Sequence, residues 1–332
     1  MSEQRQLLSD SAARLFQSNA GWNEIEELGI ADILVPEDRG GSGADWDDAC
    51  AVLQAAGHAQ TRLPLAEAMI ARKLLADAGL EVPQSKLSIA PNPVGTLSHD
   101  ARAWKFSGVM SGVPWGRDVA SVVTTVTFDG RPHVVVLAVR DARVHERMNL
   151  ADEPRDELQF DSAPALAVPA SSREAQHLFD YAALARTAQI AGALQSALER
   201  SIAYAQERKQ FGRPIGQFQA VQQQLALFGA ETAAATCASR SAAIAASAGA
   251  ASFEIAAAKL RANQAIGLAT SIAHQVHGAI GFTREYALRQ ATQRLWSWRS
   301  EYGNDRYWSE RLGRIVIGRG ADAVWSSIAI SC

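Results

Sequence analysis

The sequence predicts an α+β protein of several domains, ordered helices, strands, helices. Three observations carry this reading. Apolar residues recur at helical spacing from Ser9 to about Leu80; short β-branched runs punctuated by glycine and aspartate follow; and alanine-rich helical text fills almost everything beyond residue 170. At 332 residues the chain is long enough for two or three domains with a large core.

The first segment, 1–91, is expected to be a small helical domain, broken by turns at VPEDRGGSGADW and near TRLP. Glycine-rich turns are common, so Asp38, Arg39 and Asp45 read as solvated residues. The text changes at VPQSKLSIAPNPVGT and then runs through WKFSGVMSGVPWG, ASVVTTVTFDG, RPHVVVLAV and ARVHERMNL, which marks 92–169 as a sheet domain. A hairpin is predicted in TTVTFDGRPHVVVLAV with Asp129 and Gly130 at its turn. From 170 to 332 the small side chains let helices approach closely, and Leu, Phe and Ile recur through the tract, so it reads as a packed bundle.

Composition removes several classes of function. A content of 48% hydrophobic and 20% charged residues, with no run of eighteen uncharged apolar residues, fits a soluble globular protein with no membrane insertion. The N-terminal MSEQRQLLSDSAARLF carries Glu3 and Asp10 and no apolar core, so it does not read as a secretory signal, and a cytoplasmic location is expected. Cys50, Cys237 and Cys332 are far apart and odd in number, which suits ordinary thiols and no metal site. A net charge of −3 with scattered lysines and arginines leaves no footprint for nucleic acid. No GxxxxGK, GxGxxG or HExxH motif stands in a convincing context.

One stretch interrupts the helical half. AYAQERKQFGRPIGQFQ, residues 203–219, sets Gly212 and Pro214 two residues apart, where an uninterrupted helix would carry neither. Together with QVHGAIGF and the helix–strand–helix order, ERKQFGRPIGQFQ resembles the acyl-CoA dehydrogenase family, and the resemblance covers nearly the whole chain. It implies an N-terminal helical domain, a middle β domain and a C-terminal four-helix bundle, with FAD as cofactor.

The resemblance assigns Arg208 to the FAD pyrophosphate across a subunit interface, a task for which a guanidinium fork is suited. Gln210 becomes a polar nucleotide contact, Phe211 an aromatic packed along the cofactor, and Gln219 a further contact. In QVHGAIGFTREYALRQ, Gln275 and Gly278 meet the dinucleotide from the neighbouring subunit, and small residues at Gly278 and Gly281 allow backbone amides to come close. The family commonly has two glycines in succession here, whereas Ala279 follows Gly278. His277 inherits a structural or peripheral role.

The family reaction removes an α-proton from an acyl-CoA thioester with a carboxylate base while FAD takes the β-hydride, giving a trans-2-enoyl-CoA; electrons leave through an electron-transfer flavoprotein. The family base lies in a YEG segment, and an ungapped count puts Tyr302 there with Glu301 one residue before it. Glu301 is the candidate base, since the unperturbed pKa of tyrosine is about 10. Some members carry the base on the first bundle helix, where this chain has Ala182, with Asp180 on another face. Asn304 stands at a family threonine, and the TEP-x-x-GSD motif is reduced to IAPNPVGT. Trp296, Trp298 and Trp308 either line a bulky cavity or pack the final helices. The expected assembly is a homodimer or homotetramer, with a paralogous partner as the alternative: a noncatalytic or partly catalytic subunit of a heteromeric enzyme. Related flavin chemistry on another CoA thioester is a third reading.

Overall fold

Short buried β-branched runs and long alanine-rich runs send the backbone into a sheet and a set of packed helices. The computed structural model describes residues 3–18, 20–100, 102–249, 251–283 and 285–323. Four helices come first: α1 (Glu3–Gln17), α2 (Trp22–Glu27), α3 (Trp46–His58) and α4 (Leu65–Asp77). Seven strands follow, β1 (Leu87–Ala90), β2 (Val94–His99), β3 (Trp104–Pro114), β4 (Ser121–Phe128), β5 (Arg131–Ala138), β6 (Arg143–His145) and β7 (Arg155–Pro169). The rest is α5 (Arg173–Gln176), α6 (Leu178–Glu207), β8 (Lys209–Gln210), β9 (Arg213–Pro214), α7 (Gln219–Ser247), α8 (Ser252–His277), α9 (Ala287–Ser300) and α10 (Asp305–Arg319).

Among the described residues, one compact unit comprises those within 20–45 and 62–182. Its strands run in the order β1-β4-β5-β7-β3-β2, with β6 also paired to β7; β1 and β4 are parallel and the other pairs antiparallel. The expected hairpin is present: Phe128 faces Arg131, and Asp129 and Gly130 take φ of 47° and 72°, the left-handed pair that matches strand twist. Long β7 serves both halves of the sheet, pairing β3 through its first part and β5 through Leu166–Pro169. Phe106, Met110, Val122, Val135, Leu137 and Leu158 fill the space beneath. A buried guanidinium ties the helical part together, because Arg72 donates to Asp32 (2.7 Å), to Glu26 and to the Ser85 carbonyl (3.1 Å). Asp38, Arg39 and Asp45 are exposed.

Among the described residues, the other unit comprises those within 3–18, 46–61 and 183–323. Alanines carry its close helix contacts, with Ala193, Ala235, Ala262, Ala265 and Ala269 all at 0% exposure, and Phe228, Ile266, Leu288 and Trp298 fill the wider gaps. The closest approach joins α3 to α6. A Cβ added at Gly192 would strike the Gln54 carbonyl, and one at Gly57 the Gln189 carbonyl, so each glycine admits the other helix's backbone. Among the described residues no helix is long and apolar enough to cross a membrane, and no group of His, Cys, Asp and Glu could hold a metal. Cys50 is buried and Cys237 exposed; Cys332 lies outside the described residues.

Gly192→Ala is expected to lower stability by about 1–3 kcal/mol, the usual cost of overpacking. Gly229→Ala, placed on α7 where an added Cβ meets nothing within 4 Å, is expected to raise it by roughly 0.5–1 kcal/mol. Urea unfolding of both variants checks the pair.

Candidate functional site

The interruption in the helical half is a hairpin. Helix α6 ends at Glu207; the Arg208 amide still donates to the Tyr204 carbonyl (2.9 Å), and Ile215 donates back to Arg208 (2.8 Å). Gln210 faces Arg213 across a two-residue loop in which Phe211 and Gly212 have φ of 50° and 79°. Glycine accepts such a conformation freely, but an aromatic does not. Phe211 is nevertheless 91% exposed, and its ring meets Phe218 edge-on at 6.1 Å, while Arg213 stacks over Phe218 at 4.3 Å. Phe218 caps α7, whose first residue, Gln219, is exposed like Arg208 and Gln210. The two turn formers therefore present a cation and an aromatic to solvent on a rigid tip.

The glycine turn lies at the same end of the bundle. Helix α8 ends at His277, and Gly278 takes φ 63°, ψ −145°. Tyr204, one turn before Arg208, stacks on His277 at 4.5 Å and meets Tyr286 edge-on at 6.2 Å. These ring contacts place the start of the Arg208 hairpin at the same end of the bundle as the Gly278 turn. Beside the turn opens a cleft of about 590 Å³ lined by Thr270, Ser271, His274, Gln275, Gly278 and Trp296. His274 accepts or donates at Nε2 with Thr292 (3.0 Å), stacks on Phe282 at 4.1 Å, and keeps Nδ1 buried without a hydrogen-bond partner among the described residues. Burial pushes the pKa of His274 and His277 down, so both rings are neutral near pH 7. His277 is structural, with Nδ1 on the Ala273 carbonyl (2.8 Å).

Helix α9 then carries the chain roughly 20 Å along the bundle to the candidate base. Glu301 is the C-cap of α9, and Tyr302 and Gly303 follow with φ of 54° and 100°. The Glu301 carboxylate, 17% exposed, is 3.0 Å from Nε of Arg186. Arg186 is itself buried, with its guanidinium 5.1 Å above Trp298 and 5.6 Å from the Tyr302 ring. Asn304 caps α10 by accepting from the Tyr307 amide (3.0 Å). Of the three tryptophans, Trp298 and Trp308 pack the interior, and Trp296 lines the cleft.

Among the buried basic residues that the sequence did not single out, two stand beside the end of α9. Arg186 interrupts the apolar run of FDYAALARTAQIAGAL, and Lys259 interrupts EIAAAKLRANQAI; a charge on a bundle's inner face was the available signal. Lys259 is fully buried. Burial pulls its pKa down to about 7, against the attraction of Glu301 and Asp305 and with the repulsion of Arg186 and Arg299.

The C-terminal domain of acyl-CoA dehydrogenases matches residues 173–312. Acyl-CoA dehydrogenase IpdE2 of Mycolicibacterium smegmatis is 27% identical over 311 residues, covering 87% of this chain and 91% of that protein. The chain belongs to the acyl-CoA dehydrogenase family. FadE34 of Mycobacterium tuberculosis, another relative, is 33% identical over 281 residues, 78% of this chain and 37% of FadE34. The fold matches a chain of the ChsE4-ChsE5 complex from Mycobacterium tuberculosis with a TM-score of 0.89 at 21% identity, over 97% of this chain and 99% of that one. Membership brings FAD as the cofactor. The residues present fit a dinucleotide: an exposed guanidinium, a glycine turn with open space where a Cβ would stand, and an orphaned ring nitrogen beside the cleft.

The pKa of Lys259 is lower folded (about 7) than its ordinary 10.5, so between these values the unfolded chain holds more protons and stability rises with pH. Measured against Lys259→Met, the wild-type protein is expected to gain roughly 1 kcal/mol per pH unit from pH 7 to 10, read by urea unfolding at each pH.

Proposed function

We propose that this chain oxidises an acyl-CoA thioester to its trans-2-enoyl-CoA, with Glu301 as base and an electron-transfer flavoprotein as electron acceptor. The observation that carries the reading is the gathering of the Arg208 hairpin and the Gly278 turn at one end of the bundle, with a partly accessible carboxylate at the far end of α9. FAD, when bound, accepts the hydride from the thioester's Cβ. Arg208 would hold its pyrophosphate, Gln210 would be a polar contact to the nucleotide, Phe211 would pack along it, and Gln219, Gln275 and Gly278 would complete its surroundings. Glu301 takes the proton at Cα. A neighbouring guanidinium favours an ionised carboxylate, so Arg186 keeps Glu301 in the acceptor form and must yield when the proton arrives.

Anaerobic titration of the FAD-loaded protein with a panel of straight-chain, branched, aromatic and steroid side-chain acyl-CoA thioesters tests the reaction. Bleaching of the oxidised flavin with an enoyl-CoA product is expected, slowed about 10²–10⁴-fold in Glu301→Gln with FAD retained. Oxidised flavin across the whole panel would contradict dehydrogenation by this chain alone.

The same contact favours a second reading, in which the chain is a partly catalytic subunit beside a paralogue. Arg186 already occupies Glu301, and Ala182, where some family members carry their base, has no acid to offer. Turnover that appears only after a paralogous subunit is added would establish this alternative. The supporting comparison is the heteromeric ChsE4-ChsE5 complex.

Phe211→Asn separates cofactor binding from folding. It creates Asn-Gly, the favoured pair for a two-residue hairpin, so the melting temperature is expected to hold or rise while FAD affinity falls about tenfold. Unchanged affinity would remove Phe211 from the cofactor's surroundings.

A further inference from the structure

We propose that Lys259, with Asn263 beside it, is a positioning residue that fixes the turn after α9 and thereby aims Glu301; the inference rests on Glu301 being the base. A helix leaves its last carbonyls unsatisfied, and the end of α9 meets a buried lysine amino group instead of water. Lys259 Nζ donates to the carbonyls of Trp298 (3.1 Å) and Arg299 (3.2 Å), to that of Gly303 at 3.4 Å, and to Asn263 Oδ1 (2.6 Å). Asn263 Nδ2 donates to Gly303 as well (3.3 Å). Trp308 Nε1 holds the Tyr302 carbonyl at 3.0 Å. The backbone on both sides of Glu301 is therefore fixed by side chains from α8 and α10.

The turn needs such a clamp. Tyr302 sits at φ 54°, a conformation a bulky residue keeps only when its surroundings over-determine it. Gly303 cannot be exchanged to ease the bend, because a Cβ there would strike the Trp308 indole. Released from Lys259 and Asn263, Tyr302 returns to negative φ and the Glu301 carboxylate swings with it. An apolar residue of similar volume would fill the site of Lys259 without desolvating a charge. What the lysine adds is several donors aimed at successive carbonyls, which an apolar side chain lacks.

The test uses the FAD-loaded full chain with Lys259→Met, the milder Asn263→Ala, and Glu301→Gln in parallel. Amide hydrogen exchange at residues 300–304 reads the turn directly, with the β4–β5 hairpin as internal reference. Steady-state kinetics use whichever thioester of the panel bleaches the flavin. In Lys259→Met, exchange at 300–304 is expected to rise at least about tenfold with the reference unchanged. The same variant should lose about 10²-fold in kcat while KM moves less than about threefold, with Asn263→Ala following in smaller measure. Unchanged protection at 300–304 overturns the clamp, and a KM change without a kcat change overturns its role in aiming the base. If Lys259→Met fails to fold, the exchange and kinetics of Asn263→Ala decide. Full turnover by Glu301→Gln defeats the base assignment instead, and exchange alone then judges the clamp.

Discussion

Two basic side chains buried beside the end of α9, Arg186 and Lys259, set what that end can be. Burying a cation is costly unless hydrogen bonds and an opposite charge answer it. Lys259 is answered by the open carbonyls of α9 and by Asn263, and Arg186 by the carboxylate of Glu301 under the faces of Trp298 and Tyr302. Each partner is thereby held in place as well. The polar cluster acts on backbone direction more than on net stability, in a bundle whose cohesion comes from close alanine and glycine contacts.

The other end of the bundle solves a different problem. A cofactor that approaches backbone needs small residues, and one that carries phosphates needs a cation. Both appear where helices stop: α6 at the Arg208 hairpin and α8 at Gly278. The aromatic stack of Tyr204 on His277 joins the end of α6 to the end of α8. His277 is consumed by that packing.

Much of the architecture was legible because its signals are local. Asp129-Gly130 between β-branched runs, the Gly212-Pro214 interruption, and the small residues around Gly278 each dictate backbone conformation within a few positions. The apolar runs that Arg186 and Lys259 interrupt mark both as inward, but their partners were illegible because they lie 115 and about 40 positions away in sequence. An ungapped count from the glycine turn puts Tyr302 at the family's base position and Glu301 one residue before it. The positive φ at Tyr302, invisible in sequence, bends the chain there.

The most direct test of the account is an experimental structure of the protein with FAD and a non-oxidisable acyl-CoA analogue bound. The account predicts a Glu301 carboxylate oxygen about 3–3.5 Å from the analogue's Cα, near-attack distance for proton transfer. Glu301 still paired with Arg186, and Tyr302 facing Cα in its place, would contradict it.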